Sequence, residues 1–345
     1  MSTFRSRQLR EQKRTSPWRI GILGGTGTAL KRTIPALIDS EICRAAVVHG
    51  RSNLRLAEVL ALDPAIRVTA SEEEFVSLRD QYDIVYVASP PFLHLTHVRL
   101  ATRLGLPLIC EKPLVSDHTE LRAIVKLIED SGVPFMLAHH TRHQCAVSDV
   151  AKIVACKRFG SPVAAHLQWC FLMDHEARNA TWKLRPTLGG SNALFDSGVH
   201  AIDLAVLLFG SPESVSAFGH HVRSADAFDS VVAVLQYPEL AVTIVASQSA
   251  SSHANDLTIT FPSAVLRVGA LFGEKSARTL DIASASGTTQ LTYEPVNLYR
   301  AEVENFCHSL GGAGTSGTTL REAAVTTDIL AAAEKAIRME RLILL

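Results

Sequence analysis

Three short stretches carry residue types that together could move a proton and hold a reacting oxygen. The first is Asp196-Ser197-Gly198-Val199-His200-Ala201-Ile202-Asp203. On a helix, Asp196, His200 and Asp203 at i, i+4 and i+7 share one face, and Phe195, Val199, Ile202 and Val206 form an apolar stripe opposite. A histidine beside carboxylates can be held in one tautomer and take up a proton near neutral pH. Gly198 inside the helix costs about 1 kcal/mol against Ala, which predicts a close approach to the backbone there. Taken alone, the stretch reads as well as an ordinary helix capped by Asp196.

The second stretch is Glu111-Lys112-Pro113, directly after the apolar run 108–110. If that run is a strand of a parallel sheet, Lys112 lies outside its carboxyl end, where such sheets bind ligands. Its ammonium group can then hydrogen-bond a substrate oxygen whose negative charge grows or vanishes. Alone, the tripeptide is equally a loop with a surface ion pair.

The third is Gly24-Gly25-Thr26-Gly27-Thr28-Ala29, after the run 19–23 and ahead of helical spacing at Ile34, Leu37 and Ile38. A Gly-rich strand-to-helix turn brings backbone N–H groups against a pyrophosphate. Thr26 stands where G-x-G-x-x-G/A has its middle glycine. Further on, Val48-His49-Gly50-Arg51-Ser52 lacks the acid that NAD-selective sites place after the second strand. Arg51 and Ser52 can instead meet a ribose 2′-phosphate, which favours NADP over NAD.

The elements that must position these groups change character along the chain. Apolar runs at 19–23, 45–48, 84–88, 108–110 and 135–138 alternate with helix-period segments such as Leu121, Ile124, Val125 and Ile128. This predicts a parallel sheet of right-handed βαβ units. After about residue 160, β-rich segments joined by turns at Tyr237-Pro238-Glu239-Leu240 and Pro262-Ser263 predict antiparallel hairpins. Stripes at Val303, Phe306, Cys307 and Leu310 and at Val325, Ile329, Ala332 and Ala336 predict two closing helices. The fold class is therefore α/β. A basic flexible tail (1–17) precedes an N-terminal Rossmann domain with a parallel sheet (18–138) and a C-terminal α/β domain with a mostly antiparallel open sheet (139–345), and the active site lies between the two domains.

Composition narrows the function. At about 150 residues per domain, 345 residues suggest two domains, and 47% apolar with 20% charged residues excludes a disordered chain. Lys+Arg and Asp+Glu are 34 each, so no basic field favours nucleic acid, although residues 1–19 carry a charge of +5. No apolar run approaches the roughly 18 residues that span a bilayer, and the six cysteines form no C-x-x-C pair, so a reduced, cytoplasmic protein is expected. His139 and His143 are spaced as in helical zinc sites, but no H-E-x-x-H or cysteine pair accompanies them. No metal is expected; with His140 they line the cleft instead.

In combination these motifs resemble the Gfo/Idh/MocA family of NAD(P)-dependent oxidoreductases. The resemblance rests on Gly24 to Ala29, Ala88-Ser89-Pro90 followed by His94, Cys110-Glu111-Lys112-Pro113, Arg142, Trp182-Lys183, and Gly189-Gly190 through Asp196, Gly198, His200 and Asp203. It implies that Lys112, Asp196 and His200 are catalytic. It further implies that Gly24, Gly25, Thr26, Gly27, Thr28, Arg51, Ser52, Ser89, Pro90, His94, Glu111 and Lys112 hold NADP or NAD. His140, Arg142 and Trp182 would join the catalytic three around the substrate. The implied reaction is hydride transfer between nicotinamide C4 and a secondary alcohol or ketone of a sugar, cyclitol or related polyol. A homodimer or homotetramer paired through the antiparallel sheet is also implied. Three other readings stay open: an NAD-dependent glycoside-cleaving relative, an imine or non-sugar carbonyl reductase, and a non-catalytic dinucleotide sensor.

Overall fold

The computed structural model describes residues 16–345 except 175, 177–179, 190–192, 251–253 and 314–316. The solvated tail expected before residue 16 lies outside the described residues. Six strands, β1 (Trp18–Leu23), β2 (Cys43–His49), β3 (Arg67–Thr69), β4 (Ile84–Val87), β5 (Leu108–Glu111) and β6 (Phe135–Ala138), form an all-parallel sheet in the order β3-β2-β1-β4-β5-β6. All four residues of β4 are buried, as a strand covered on both faces requires. The covering helices are α1 (Thr28–Lys31), α2 (Thr33–Ile38), α3 (Asn53–Leu62), α4 (Glu72–Ser77), α5 (His94–Arg103) and α6 (Leu121–Ser131). The strand order reverses between β1 and β4, so their carboxyl ends open a crevice there.

The single helix expected after the Gly-rich turn is two. Pro35 has no N–H for the Lys31 carbonyl and its ring would clash there, so the chain breaks at Arg32 (φ −128°, ψ −70°) and α2 starts afresh.

The second sheet has nine strands: β7 (Ala164–Cys170), β8 (Ser214–His220), β9 (Ser230–Gln236), β10 (Ala241–Ser247), β11 (Asn255–Thr260), β12 (Ala264–Gly269), β13 (Thr279–Ser284), β14 (Gly287–Thr292) and β15 (Ile343–Leu344). Every pairing is antiparallel except β7 with β10. Tyr237 N–H donates to Leu240 O and Phe261 N–H to Ala264 O, closing the two expected hairpins. Alternation puts Val231, Ala233 and Leu235 of β9 and Val242, Ile244 and Ala246 of β10 in the core. With α7 (Cys145–Ala155), α8 (Ala180–Lys183) and α9 (Pro186–Gly189), this part holds α10 (Val199–Phe209), which is enclosed almost all round and packs against α12 (Leu320–Met339). The remaining helix, α11 (Leu298–Leu310), returns to the first sheet: Val303, Phe306 and Cys307 share a core with Ile20, Ile34 and Tyr86.

Candidate active site

Lys112 leaves the end of β5 and reaches Asp196 on the turn ahead of α10. Its Nζ donates to the Asp196 backbone carbonyl at 2.7 Å and to Oδ1 at 3.1 Å. Lys183, at the end of α8, donates to Oδ2 at 2.7 Å, and the buried Gln248 side chain donates to the same oxygen at 2.9 Å. Burial alone would raise the Asp196 carboxyl, but the ammonium groups of Lys183 and Lys112 and their hydrogen bonds hold it far below the usual carboxylate range. Residues 194–198 form one turn of π-helix, a feature concentrated at functional sites. The close approach predicted at Gly198 is that of β10, since a Cβ there would lie 3.3 Å from Ala246 Cβ.

His200, on the first turn of α10, is 1% exposed. Its ring is enclosed by His139 (centroids 5.3 Å), His140 (4.8 Å) and Trp169 (5.3 Å). Burial, reinforced by Lys112, His140, His139 and Lys183, pushes the imidazole well below its ordinary value, so it is neutral at physiological pH. A cleft opens where Lys112 meets Asp196, lined also by Pro91, Trp182, Lys183 and Phe195.

The crevice between β1 and β4 fits a dinucleotide. Gly24 has φ +77°, and a Cβ there would lie 2.6 Å from the Ser89 backbone, so only glycine lets the two strand ends close up. Gly25 N–H is spent on His49 O, whereas Gly27 and Thr28 are exposed at the start of α1, where the first N–H groups have no intrahelical partner. Ser89 Oγ is buried there without a partner, a donor suited to a ligand oxygen. Thr26 turns its side chain over Gly50. Glu111 accepts from Tyr86 OH at 2.8 Å and from Lys112 N–H at 3.2 Å, and burial raises its carboxyl. Arg51 is exposed just past β2; Ser52 Oγ accepts Arg55 N–H and caps α3, which leaves its hydroxyl hydrogen to donate. Pro90 leads the turn Pro91–Leu93 along the cleft.

Four sequence expectations need correction. His94 is wholly buried and does not reach the crevice; its ring lies between Ser89 O (2.9 Å) and Leu114 O (3.1 Å), tying together the loops after β4 and β5. Arg142, expected at the substrate, has its guanidinium 5% exposed and committed to Asp203 (2.7 and 2.8 Å) and Glu322 (2.8 Å). Asp203 accordingly leaves the cleft face, because the π-turn adds a residue and i+7 no longer returns to the line of Asp196. His140 packs behind His200, donates to Gly273 O at 3.0 Å and stacks on Tyr299. Lys112, Asp196 and Trp182 do meet at the cleft. Sequence reasoning missed Lys183, whose only signal was its place after Trp182, and Gln248 and Trp169, which carried none.

A model described as "Oxidoreductase family, NAD-binding Rossmann fold" matches residues 18–139, and one described as "GFO/IDH/MocA C-terminal domain" matches residues 147–266. The chain is 29% identical over 292 residues to D-xylose 1-dehydrogenase (NADP(+)) 2 of Haloferax volcanii, covering 84% of this chain and 88% of that one. It is 28% identical over 235 residues to scyllo-inositol 2-dehydrogenase (NADP(+)) of Bacillus subtilis, covering 67% and 70%. In fold it is similar to the crystal structure of aldose-aldose oxidoreductase from Caulobacter crescentus, with a TM-score of 0.84 at 20% identity over 95% of this chain and all of that one.

Proposed function

The chain belongs to the GFO/IDH/MocA oxidoreductase family, and on that premise we propose that it is an NAD(P)-dependent dehydrogenase acting on a secondary alcohol of a sugar or cyclitol, with NADP preferred. One arrangement carries this reading: an ionised Asp196 held by Lys112 and Lys183, one helical turn before a neutral, buried His200. The bound dinucleotide supplies the hydride acceptor. Lys112 hydrogen-bonds the substrate oxygen and stabilises charge that develops on it. His200, neutral, accepts the hydroxyl proton in oxidation and returns it in reduction. Asp196 fixes both lysines and accepts from a neighbouring hydroxyl, and Trp182 offers an apolar wall for a sugar ring. Relatives named as xylose and scyllo-inositol dehydrogenases, both marked NADP(+), support the substrate class and the cofactor preference.

The test is a panel of aldoses, cyclitols and keto-sugars followed at the nicotinamide band with each cofactor. Against the best substrate, Lys112→Ala and His200→Ala should each lower turnover about 100-fold or more, while cofactor affinity changes less. Near-normal turnover in both variants would sink the assignment.

We also infer self-association through the outer face of the second sheet. Phe218, 64% exposed, stands beside Val232, and Val232 beside Val245, so that three adjacent strands share an apolar row. Sedimentation of Phe218→Asp against the parent chain reads it: an unchanged assembly would remove this face from consideration.

A further inference from the structure

A neutral imidazole acts as a base only through the nitrogen that lacks the hydrogen, so its tautomer is set by what the other nitrogen faces. In His200 the Nδ1 atom is buried and has no hydrogen-bond partner. The wholly buried ring of His139 packs edge-on against that of His200, the two ring centres 5.3 Å apart and the planes at 88°. Both ring nitrogens of His139 are also buried and unbonded, yet Nε2 is 3.6 Å from Asp203 Oδ1. Asp203 cannot move away: Arg142 grips it with two donors, and Thr318 Oγ1 donates to it at 3.1 Å. Buried polar atoms left unbonded are uncommon, and hydrogen bonds that serve catalysis are often long until the substrate is in place.

We propose that His139 is a positioning residue for His200: with Nε2–H directed at Asp203, it offers its Nδ1 lone pair to Nδ1–H of His200 and thereby leaves Nε2 of His200 as the base. The inference rests on His200 being the proton acceptor. In oxidation the substrate O–H bond breaks, the proton moves to Nε2 of His200, the carbinol hydride leaves to the nicotinamide, and Nδ1–H stays in place. The new imidazolium then faces Lys112, His140, His139 and Lys183, all of which disfavour it as charges. Through a hydrogen bond to His139 it would be linked to the Asp203 carboxylate, 3.6 Å from His139 Nε2. Burial lowers His139 itself, and the charges of Asp203 and Glu322 work against that while Arg142 and Lys112 add to it.

Kinetics of alcohol oxidation across pH, for the parent chain, His139→Leu, His139→Gln and His200→Ala, test this. His139→Leu should lower kcat about 10- to 100-fold, less than loss of the base, with KM within about twofold. It should also move the acid limb of the profile to lower pH, because an imidazolium without its acceptor is harder to form. His139→Gln should recover most of the loss, since its amide can donate toward Asp203 and accept from His200. A parental kcat and pH profile in His139→Leu, with His200→Ala inactive, would overturn the proposal and leave the base assignment standing; an active His200→Ala would remove both. If His139→Leu does not fold, the 15N shifts of His200 in the parent chain decide: a single Nδ1–H tautomer is expected, and an Nε2–H tautomer or a mixture overturns the proposal.

Discussion

Burial raises the carboxyl of Asp196, and two ammonium groups more than reverse that effect. The pairing of Lys112 with Asp196 could be anticipated from the Glu-Lys-Pro and Asp-x-Gly-x-His spacings, because strand ends and the helix ahead of a cleft converge in α/β folds. Lys183 and Gln248 come from a short helix and from the end of a strand, and no periodicity connects either to Asp196. Arg51 is the residue whose role depends most on chemistry outside the chain. It is exposed, follows β2 directly and has no hydrogen-bond or ion-pair partner among the described residues. A guanidinium there can take a 2′-phosphate in a charge-assisted, two-pronged contact, whereas a 2′-hydroxyl offers it little. Arg51→Ala should therefore weaken NADP binding by about 1.5 to 3 kcal/mol and leave NAD nearly unchanged. Calorimetric titration of both cofactors reads this directly; equal losses, or a parent chain that prefers NAD, would show that Arg51 does not recognise the phosphate.

The first sheet was legible because its strands are buried on both faces and appear as unbroken apolar runs, whereas β3 is three residues with one buried position and leaves no pattern. The break between α1 and α2 was written in Pro35, which outweighs the spacing of Ile34, Leu37 and Ile38. The shared face of Asp196 and Asp203 failed for a different reason: spacing arithmetic assumes 3.6 residues per turn, and a π-turn announces itself by no residue type. The Gly-rich turn has a supporting contact that the motif does not contain. A Cβ on Gly50 would lie 2.1 Å from Thr26 Cγ2, so Gly50, at the end of β2, is the floor on which Thr26 rests. Thr26 thus takes the middle-glycine position by turning its side chain toward that floor. Gly50→Ala should displace the turn and weaken either dinucleotide about 10-fold or more, an effect worth at least about 1.4 kcal/mol. Thr26→Gly in the same chain should restore most of it, since the clash then has no second partner. Equal affinities in the parent and Gly50→Ala chains, by fluorescence titration, would mean that this contact does not shape the cofactor turn.

At the scale of the whole molecule, two sheets and the returning α11 bury an unusual number of imidazoles where the cofactor crevice meets the cleft. Burial lowers His94, His139 and His143 to about 4 and His140 to about 3, and pushes His200 well below its ordinary value. Each titrates near 6.5 once the chain unfolds, so between about pH 6.5 and 4 the unfolded state binds more protons than the folded one. Stability must then rise with pH across that window, by up to about 1.4 kcal/mol per unit for each imidazole, and these groups contribute no slope above about pH 7.5. Asp196 acts in a separate window: its folded value is depressed, so the stability it adds is present above the unfolded carboxylate value near 4 and is lost only below that. Acid sensitivity setting in near pH 6 is therefore a histidine effect; depressed carboxylates such as Asp196 add to it only further down, while Glu111 and Glu302, raised by burial, offset part of it. Against total stabilities of about 5 to 15 kcal/mol, several such imidazoles acting together remove a large fraction of the stability before pH 4 is reached. Urea unfolding at half-unit steps from pH 4.5 to 8 should give a slope of several protons below pH 6. His143→Gln, which keeps a polar group near Asn305 and leaves Lys112, Asp196 and His200 untouched, should lower that slope by about one proton. Stability independent of pH from 4.5 to 6.5 would contradict neutral burial of these histidines, and with it the neutral His200 on which the proposed proton transfer depends.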